Sequence, residues 1–356
     1  MKMLGQNAVS LLTGPHTHLD HLGVFSHLVG IPVIVTEPET LTLAQIYYPQ
    51  IDVSYKDFLE LSSKYLVDNF SVIVHSGRKM TGYFTDMIST FHEKKLRFVY
   101  CPHGNSDKEY TLKLEEQPLQ DIVFVYGNHM LDLLKENGAI QKINKTLFLG
   151  NYRYTYYKEH QAFYDNLAEE KLYKKLSKGK KNLLYAPTFT TAEYTSSYFE
   201  KCALLIEQKP RDWNLIIKPH PLLEINDPAK VWHLLLKYED REDVIFLTDF
   251  PPIYPLLQKC DAFIGDFSSV GYDFLTFNKP MFFFAPKEPI SSSRGLFLHQ
   301  CGMQIPEENL SNMYGYIEKG FEENIERYSS PRKRVYEYTF EKDVCYAKIR
   351  ENFLSI

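Results

Sequence analysis

Short continuous apolar runs alternate along the first half of the chain with polar loops and with segments of helical periodicity. Apolar runs that no polar residue interrupts are typical of strands buried on both faces of a sheet. This alternation favours a parallel sheet covered by helices. The predicted strands are Ala8–Leu12, Ile31–Val35, Ser71–His75, Arg97–Cys101 and Ile122–Tyr126, and helices are predicted over residues 20–29, 81–95 and 129–137.

A second series of the same kind follows a charged stretch, with strands predicted at Leu183–Ala186, Leu215–Ile217, Val244–Leu247, Ala262–Ile264 and Met281–Phe284. The predicted fold class is therefore α/β, with two doubly wound Rossmann-like domains over residues 1–155 and 182–356, joined by a charged linker or helix over 156–181. Two such sheets that face each other across a cleft form the architecture called GT-B. The last predicted helix, over residues 341–353, has no strand after it, and we expect it to pack back on the N-terminal domain.

Composition agrees with two globular domains. A chain of 356 residues exceeds a typical single core, and 44% hydrophobic with 24% charged residues is ordinary for a globular protein. The net charge of -5 gives no reason to expect nucleic acid as a partner. No apolar run reaches the roughly 18 residues of a membrane span, and the cysteines are scattered without metal or disulfide spacing. We therefore expect a cytoplasmic protein with reduced thiols.

The loop after the first strand contains a short motif with chemistry of its own. His16, His18, Asp20 and His21 match the HxHxDH pattern of metallo-β-lactamase-type hydrolases, in which such side chains hold metal ions. That fold builds several strands before its motif, whereas only 15 residues precede His16, and no convincing set of further ligands follows. A hydrolase is kept as an alternative, and no metal site is predicted.

Two loops in the second half suit a phosphorylated ligand. In residues 265–274, Ser268 or Ser269 suits a helix N-cap whose free N–H groups attract anions, and Asp273 lies one turn further on, where it would accept from ribose hydroxyls. Lys218 and His220 follow another strand, and the prolines beside them stiffen that exit. A cation and an imidazole held in this way suit a diphosphate.

Polar side chains follow strands in both halves of the chain. The exit at Pro187 adds the hydroxyls of Thr188 and Thr190, and the N-terminal exits add His75-Ser76-Gly77-Arg78 and the Pro102-His103-Gly104 loop to the histidines of the first loop. Because the carboxyl ends of parallel strands meet at one edge of a sheet, we expect these side chains to gather there. Scattered surface histidines would not favour such positions.

These loops together resemble a known family. Pro102-His103-Gly104, LLYAPTF at 183–189, KPHP at 218–221 and DFSSVGYDFLTFNKPMFFF at 266–284 match, in order, motifs of the CDP-glycerol glycerophosphotransferase family, which primes or polymerises teichoic acids on a GT-B fold. The resemblance covers about residues 100–345. One departure is visible, because the family's histidine loop usually reads Trp-His-Gly-Thr and this chain has Cys-Pro-His-Gly-Asn.

The resemblance implies transfer of a polyol phosphate from a CDP-linked donor to an acceptor hydroxyl in the synthesis of a cell-surface polymer, with no cofactor. The N-terminal domain would bind a polyol or glycan acceptor and the C-terminal domain the nucleotide donor. His103 becomes the general base, with His16 and His18 as second choices. The predicted donor site comprises Lys218, His220, Thr188, Asp266, Ser268, Ser269 and Asp273.

Other interpretations stay open at this point. A GT-B glycosyltransferase or nucleotide-sugar 2-epimerase would share the fold and differ in the nucleotide released. The hydrolase built on the first loop is a further alternative, and a non-catalytic binding module is another. The lysine-rich end of residues 156–181 is interpreted as a solvated linker, with peripheral contact at the inner face of the membrane as its alternative.

Overall fold

The structure is a computed structural model, which describes residues 7–77, 87–88, 90–92, 96–106, 120–136, 138–190, 195–285, 297–342 and 344–354. The chain divides into two compact units. Of the described residues, the first unit contains those up to 105, those from 120 to 159 and those from 338 to 354. The second unit contains Ser106 and residues 160–337. No helix in the described ranges combines the length and the apolar character needed to cross a bilayer.

The first unit is built on a sheet of seven strands in the order β3-β2-β1-β4-β5-β6-β7, all paired in parallel. The apolar runs predicted as strands are confirmed. Two strands were not predicted, because β3 is partly exposed and β7 lies at the sheet edge with polar residues that break its apolar run. The strands are β1 Ala8–Leu12, β2 Val33–Val35, β3 Val53–Tyr55, β4 Val72–His75, β5 Arg97–Tyr100, β6 Gln120–Val125 and β7 Ile143–Phe148.

Helices alternate with these strands, as the periodicity predicts. The helix predicted from about residue 20 instead starts earlier, with a 3₁₀ turn at His16–His18, a π-helical turn at Leu19–Gly23 and only then an α-helix, which ends at Gly30 in the left-handed conformation. The helix predicted over residues 81–95 lies largely outside the described residues. The helices of this unit are α1 Val24–Val29, α2 Pro38–Tyr47, α3 Ser63–Asn69, α4 Asn128–Glu136 and α5 Tyr152–Glu159.

The second unit has a sheet of six parallel strands in the order β10-β9-β8-β11-β12-β13. Every residue of β9, β11 and β12 is buried, which explains why these runs are continuously apolar. The short edge strand β13 was not predicted. The strands are β8 Lys181–Ala186, β9 Trp213–Ile217, β10 Val244–Phe246, β11 Ala262–Gly265, β12 Met281–Phe284 and β13 Met303–Ile305.

The helices of the second unit are α6 Gln161–Lys171, α7 Tyr198–Glu207, α8 Pro221–Asn226, α9 Pro228–Lys237, α10 Ile253–Gln258, α11 Ser269–Phe274 and α12 Met313–Thr339, of which the last two residues belong to the first unit. The stretch predicted as a charged linker contains the second half of α5, all of α6 and a 3₁₀ turn at Tyr173–Lys175, and Tyr164 and Ala168 are buried there. The final helix, α13 Tyr346–Leu354, contacts α1 and belongs to the first unit, which confirms the prediction that it packs back on the N-terminal domain.

Strand order identifies where each sheet can bind a ligand. In the first sheet the chain runs from β1 outward through β2 to β3 and then returns to β4 on the other side of β1. In the second sheet it runs from β8 to β9 and β10 and returns to β11. Loops leave in opposite directions at such a reversal, which opens a crevice at the carboxyl ends of the two strands. We call these places the β1/β4 switch point and the β8/β11 switch point.

Candidate active site

Three loops of the first unit meet at the β1/β4 switch point. His18 follows β1, and its Nδ1 lies 3.0 Å from the Oγ of Ser76, which follows β4. The ring of His18 stacks on that of His103, which follows β5, with centroids 4.4 Å apart and an interplanar angle of 27°. His16 opens the same 3₁₀ turn and is half-buried. The sheet edge therefore gathers two of the three predicted base candidates into one pair, although 85 positions of sequence lie between them.

A buried tyrosine, Tyr126, is hydrogen-bonded to the loop that carries His103. The hydroxyl of Tyr126 donates to the carbonyl of Pro102 at 3.0 Å, and its oxygen accepts from Nδ1 of His21, also at 3.0 Å. This network assigns the proton of neutral His21 to Nδ1. Burial, and then the nearby charges of Arg153, His103 and His18, hold the pKa of His21 well below its usual value. His21 is therefore neutral at neutral pH and supports the loop that carries His103.

Asp20 forms a buried ion pair. One carboxylate oxygen accepts from Nη1 of Arg153 at 2.9 Å, and the other accepts from the hydroxyl of Tyr48 at 2.8 Å. The side chains of Asp20 and Arg153 are only 9% and 3% exposed. This pair connects the π-helical turn to α5 and gives Asp20 a structural role.

The arrangement gives no support to the hydrolase alternative. The two carboxylate oxygens of Asp20 accept hydrogen bonds from Arg153 and Tyr48, and Nδ1 of His21 is hydrogen-bonded to Tyr126. Within the described ranges, no group of three or more His, Cys, Asp and Glu side chains is arranged to hold a metal ion.

At the β8/β11 switch point a carboxylate joins the two loops. Oδ1 of Asp266 accepts from the backbone N–H groups of Thr188 and Phe267, each at 2.7 Å. Oδ2 accepts from the N–H of Ser197 at 3.0 Å and from its hydroxyl at 2.7 Å. Four donors fill the acceptor positions of a carboxylate that is only 3% exposed. The geometry therefore supports a role for Asp266 and Thr188 in holding the loops together.

The next loop begins α11. Ser268 is the N-cap of this helix and its hydroxyl accepts from the N–H of Val270 at 3.4 Å, while Ser269 is the first, half-buried helical residue. Asp273 is buried in the helix and accepts from the hydroxyl of Tyr254 at 3.3 Å. Ser268 thus forms the N-cap that the sequence predicted for one of the two serines.

Lys218 and His220 leave the neighbouring strand β9. Nζ of Lys218 donates to the carbonyl of Phe250 at 3.0 Å. Nδ1 of His220 accepts from the N–H of Leu222 at 3.1 Å and caps α8, so the proton of the neutral ring lies on Nε2. Both side chains are half-buried.

Several contacts of the two sites were not predicted. Ser76, Tyr126, Arg153 and Ser197 make the contacts described above, and Glu224 lies close enough to Lys218 to feel its charge, although burial is the larger influence and raises the pKa of Glu224. Serines, tyrosines and arginines occur throughout the chain, so no local pattern distinguishes these. The strand exit that contains Ser76 was expected at this edge, and only the bond of Ser76 to His18 was not predicted.

The comparisons with known proteins agree with this geometry. Residues 54–343 match the model of the family described as CDP-Glycerol:Poly(glycerophosphate) glycerophosphotransferase. The chain belongs to this family. It is 28% identical over 185 residues to the teichoic acid glycerol-phosphate primase of Bacillus spizizenii, which is 50% of this chain and 44% of the primase. It is 32% identical over 115 residues to the ribitol-phosphate polymerase TarK of Staphylococcus aureus, which is 30% of this chain and 21% of TarK. The chain thus matches less than half the length of these curated relatives.

Solved structures share the fold across nearly the whole chain. The wall teichoic acid polymerase TagF gives a TM-score of 0.67 at 14% identity and covers 98% of this chain and 87% of its own. The S. aureus MnaA–UDP co-structure gives 0.57 at 14% identity, covering 98% of each chain. Anabaena HepE in complex with UDP and glucose gives 0.55 at 12% identity, covering 98% and 99%. The predicted fold class, with two doubly wound parallel sheets of the GT-B kind, is confirmed.

Proposed function

We propose that this chain transfers a polyol-phosphate group from a CDP-linked donor to a hydroxyl of a polyol acceptor in the synthesis of a cell-wall polymer. The family match supports this, as do the primase and polymerase relatives. A TagF variant was also solved after a soak with CDPG. The single observation that carries the proposal is the position of His103, which stands in the family's His-Gly loop and stacks on a second histidine beside the β1/β4 switch point.

The proposed reaction is an in-line displacement at phosphorus. The acceptor oxygen forms a bond to the phosphorus that carries the polyol, and the bond from that phosphorus to the bridging oxygen of the diphosphate breaks. CMP leaves with the electron pair of this bond, and the proton of the acceptor hydroxyl goes to a base. Such transfers need positioning and charge stabilisation more than covalent help from the protein.

His103 is the proposed base. A positioned imidazole contributes about 10²–10⁴-fold to a proton transfer of this kind. Two protonated rings stacked at 4.4 Å would repel each other, so the pair with His18 favours states in which at least one ring is neutral. Ser76 fixes the orientation of His18 through their hydrogen bond, and His18 in turn positions His103.

The donor is proposed to bind at the loops after β9 and β11. Nε2 of neutral His220 carries a proton and can donate to a phosphate oxygen, while Lys218 supplies positive charge. Ser269 adds a hydroxyl, and the N-cap Ser268 fixes the loop. Asp273 keeps the predicted role of accepting from the ribose.

A panel of donors tests the proposal. The purified protein is incubated with CDP-glycerol, CDP-ribitol or UDP-sugars, each with and without a glycerol-phosphate acceptor, and the released nucleotide is measured. Acceptor-dependent release of CMP supports the proposal. The UDP complexes of MnaA and HepE favour glycosyl transfer or 2-epimerisation as the second candidate, and turnover of UDP-sugars alone would support that candidate.

Membrane contact and cofactor use stay predictions. Lys171, Lys174, Lys175 and Lys178 are exposed at the end of α6 and just after it, and basic residues near an anionic membrane contribute about 1 kcal/mol each. Salt-sensitive sedimentation with phosphatidylglycerol vesicles, absent in a variant with these lysines changed to glutamine, would support peripheral contact. Full activity after treatment with EDTA would support the expectation that no metal is needed.

A further inference from the structure

The side chain of Asn105 is deeply buried, and its carboxamide has no hydrogen-bond partner among the described residues. It lies two residues after His103, in the loop at the carboxyl end of β5, and it is only 4% exposed. Among the described residues, no group lies within hydrogen-bonding distance of either its Oδ1 or its Nδ2. Buried polar side chains in native proteins nearly always have partners, so a whole amide without one requires an explanation.

A structural explanation is available for the buried guanidinium of Arg332 but not for this amide. Arg332 has no partner for Nη2, but its Nε donates to Asn278 at 2.8 Å and its Nη1 to Asn324 at 2.7 Å. That guanidinium connects helix α12 to Asn278. Asn105 makes no such bond from its side chain, so its amide does not fix the loop.

The chemistry of the amide restricts the ligand. A carboxamide offers donors at Nδ2 and an acceptor at Oδ1, and a hydroxyl group is both an acceptor and a donor. A phosphate presents only acceptors near neutral pH apart from its occasional proton, so it would leave Oδ1 unmet. The matching ligand is therefore a hydroxyl. Gly104, between the two residues, has φ 137°, a conformation that L side chains rarely adopt, so the turn that sets Asn105 relative to His103 depends on glycine.

We propose that Asn105 is a specificity-determining residue that binds the hydroxyl adjacent to the attacking one in a terminal 1,2-diol of the acceptor. This inference rests on the proposed function, in which His103 takes the proton of the attacking hydroxyl. The amide N–H donates to the neighbouring hydroxyl oxygen, and the amide carbonyl accepts its proton. The residue is also a departure from the family, whose loop has threonine where this chain has asparagine.

The test compares two acceptors that differ by one hydroxyl. One ends in glycerol phosphate and carries the 1,2-diol, and the other ends in 1,3-propanediol phosphate and lacks the middle hydroxyl. A site built to bind a hydroxyl rejects the analogue that lacks it, so the wild type is expected to prefer the diol by at least about tenfold in kcat/KM. Asn105→Leu, of similar volume, should bring this ratio close to one by lowering kcat/KM for the diol.

Controls separate specificity from folding. Asn69→Leu removes an exposed asparagine of the same unit and should keep the wild-type ratio. If Asn105→Leu does not fold, Asn105→Ala, which removes both the donor and the acceptor, provides the measurement and should bring the ratio close to one. An unchanged ratio in the folded variants, whatever their Tm, overturns this inference alone. If the wild type uses no CDP-linked donor, the proposed function fails and this inference fails with it.

Discussion

At each switch point a polar side chain connects loops that leave neighbouring strands, but the two side chains differ in chemistry. At β1/β4 the loops are joined by a hydrogen bond between half-buried His18 and buried Ser76, and the histidine ring stays in contact with His103. At β8/β11 they are joined by Asp266, a buried carboxylate that four donors occupy. The first arrangement places two imidazole rings at the edge of the sheet. In the second, the carboxylate of Asp266 holds the loops together through its hydrogen bonds. This difference is consistent with the proposed function, which assigns proton transfer to the first unit and donor binding to the second.

The largest effect is expected from His103→Ala. Loss of the base should lower kcat about 10²–10⁴-fold, while the free energy of unfolding falls by only about 1 kcal/mol, as is usual for truncating a half-buried side chain. CMP release and urea unfolding measure the two effects. His233→Ala, at an exposed position of the second unit, is the matched control and should change neither. A near-normal kcat in His103→Ala would indicate that His16 or His18 is the base instead.

At the other switch point the effect should appear in stability. Asp266→Ala leaves four donors without their acceptor, and removing one side of such a buried charged network costs about 3–5 kcal/mol. Urea unfolding measures this cost. The exposed Asp240→Ala should change it by less than about 0.5 kcal/mol. A stable Asp266→Ala with weakened donor binding would instead show that Asp266 contacts the donor, as the sequence predicted.

The pH dependence of stability should come from the first unit. Because burial lowers the pKa of His21, the unfolded chain binds a proton below about pH 6.5 that the folded chain does not. The contribution of His21 is therefore fully present above that pH and is lost as the pH falls, by up to about 1.4 kcal/mol per unit. His21→Asn, which keeps a donor for Tyr126, should flatten this slope, whereas the exposed His233→Gln should not. Equal slopes in both variants would contradict the assignment.

Ser76→Ala should give the smallest effect. It removes one hydrogen bond to His18, which is worth about 0.5–1.5 kcal/mol, or up to about tenfold in rate. If Ser76 positions the histidine pair, the loss appears in kcat with a shifted pH profile and an unchanged KM for the donor. Ser76→Thr, which keeps the hydroxyl, should restore most of the rate. A loss confined to Tm would show a structural role only.

The sequence predicted what depends on local pattern. Continuous apolar runs gave β1, β4, β8 and β11, and turn chemistry placed the N-cap at Ser268 or Ser269. The 3₁₀ and π-helical turns around His18 were missed, because no propensity distinguishes them from an α-helix. The bonds of Ser76 and Ser197 depend on which strands are neighbours, and the ion pair of Arg153 with Asp20 joins residues 133 positions apart. Such contacts are decided by packing.

The most direct test of the proposed transfer follows the phosphorus atoms. ³¹P NMR of the wild type with CDP-glycerol and a glycerol-phosphate acceptor should show the diphosphate signals disappear while CMP and a new phosphodiester appear in equal amounts. The same sample with His103→Ala should stay nearly unchanged over that time. Consumption of a UDP-sugar by the wild type while CDP-glycerol and CDP-ribitol persist would contradict the account.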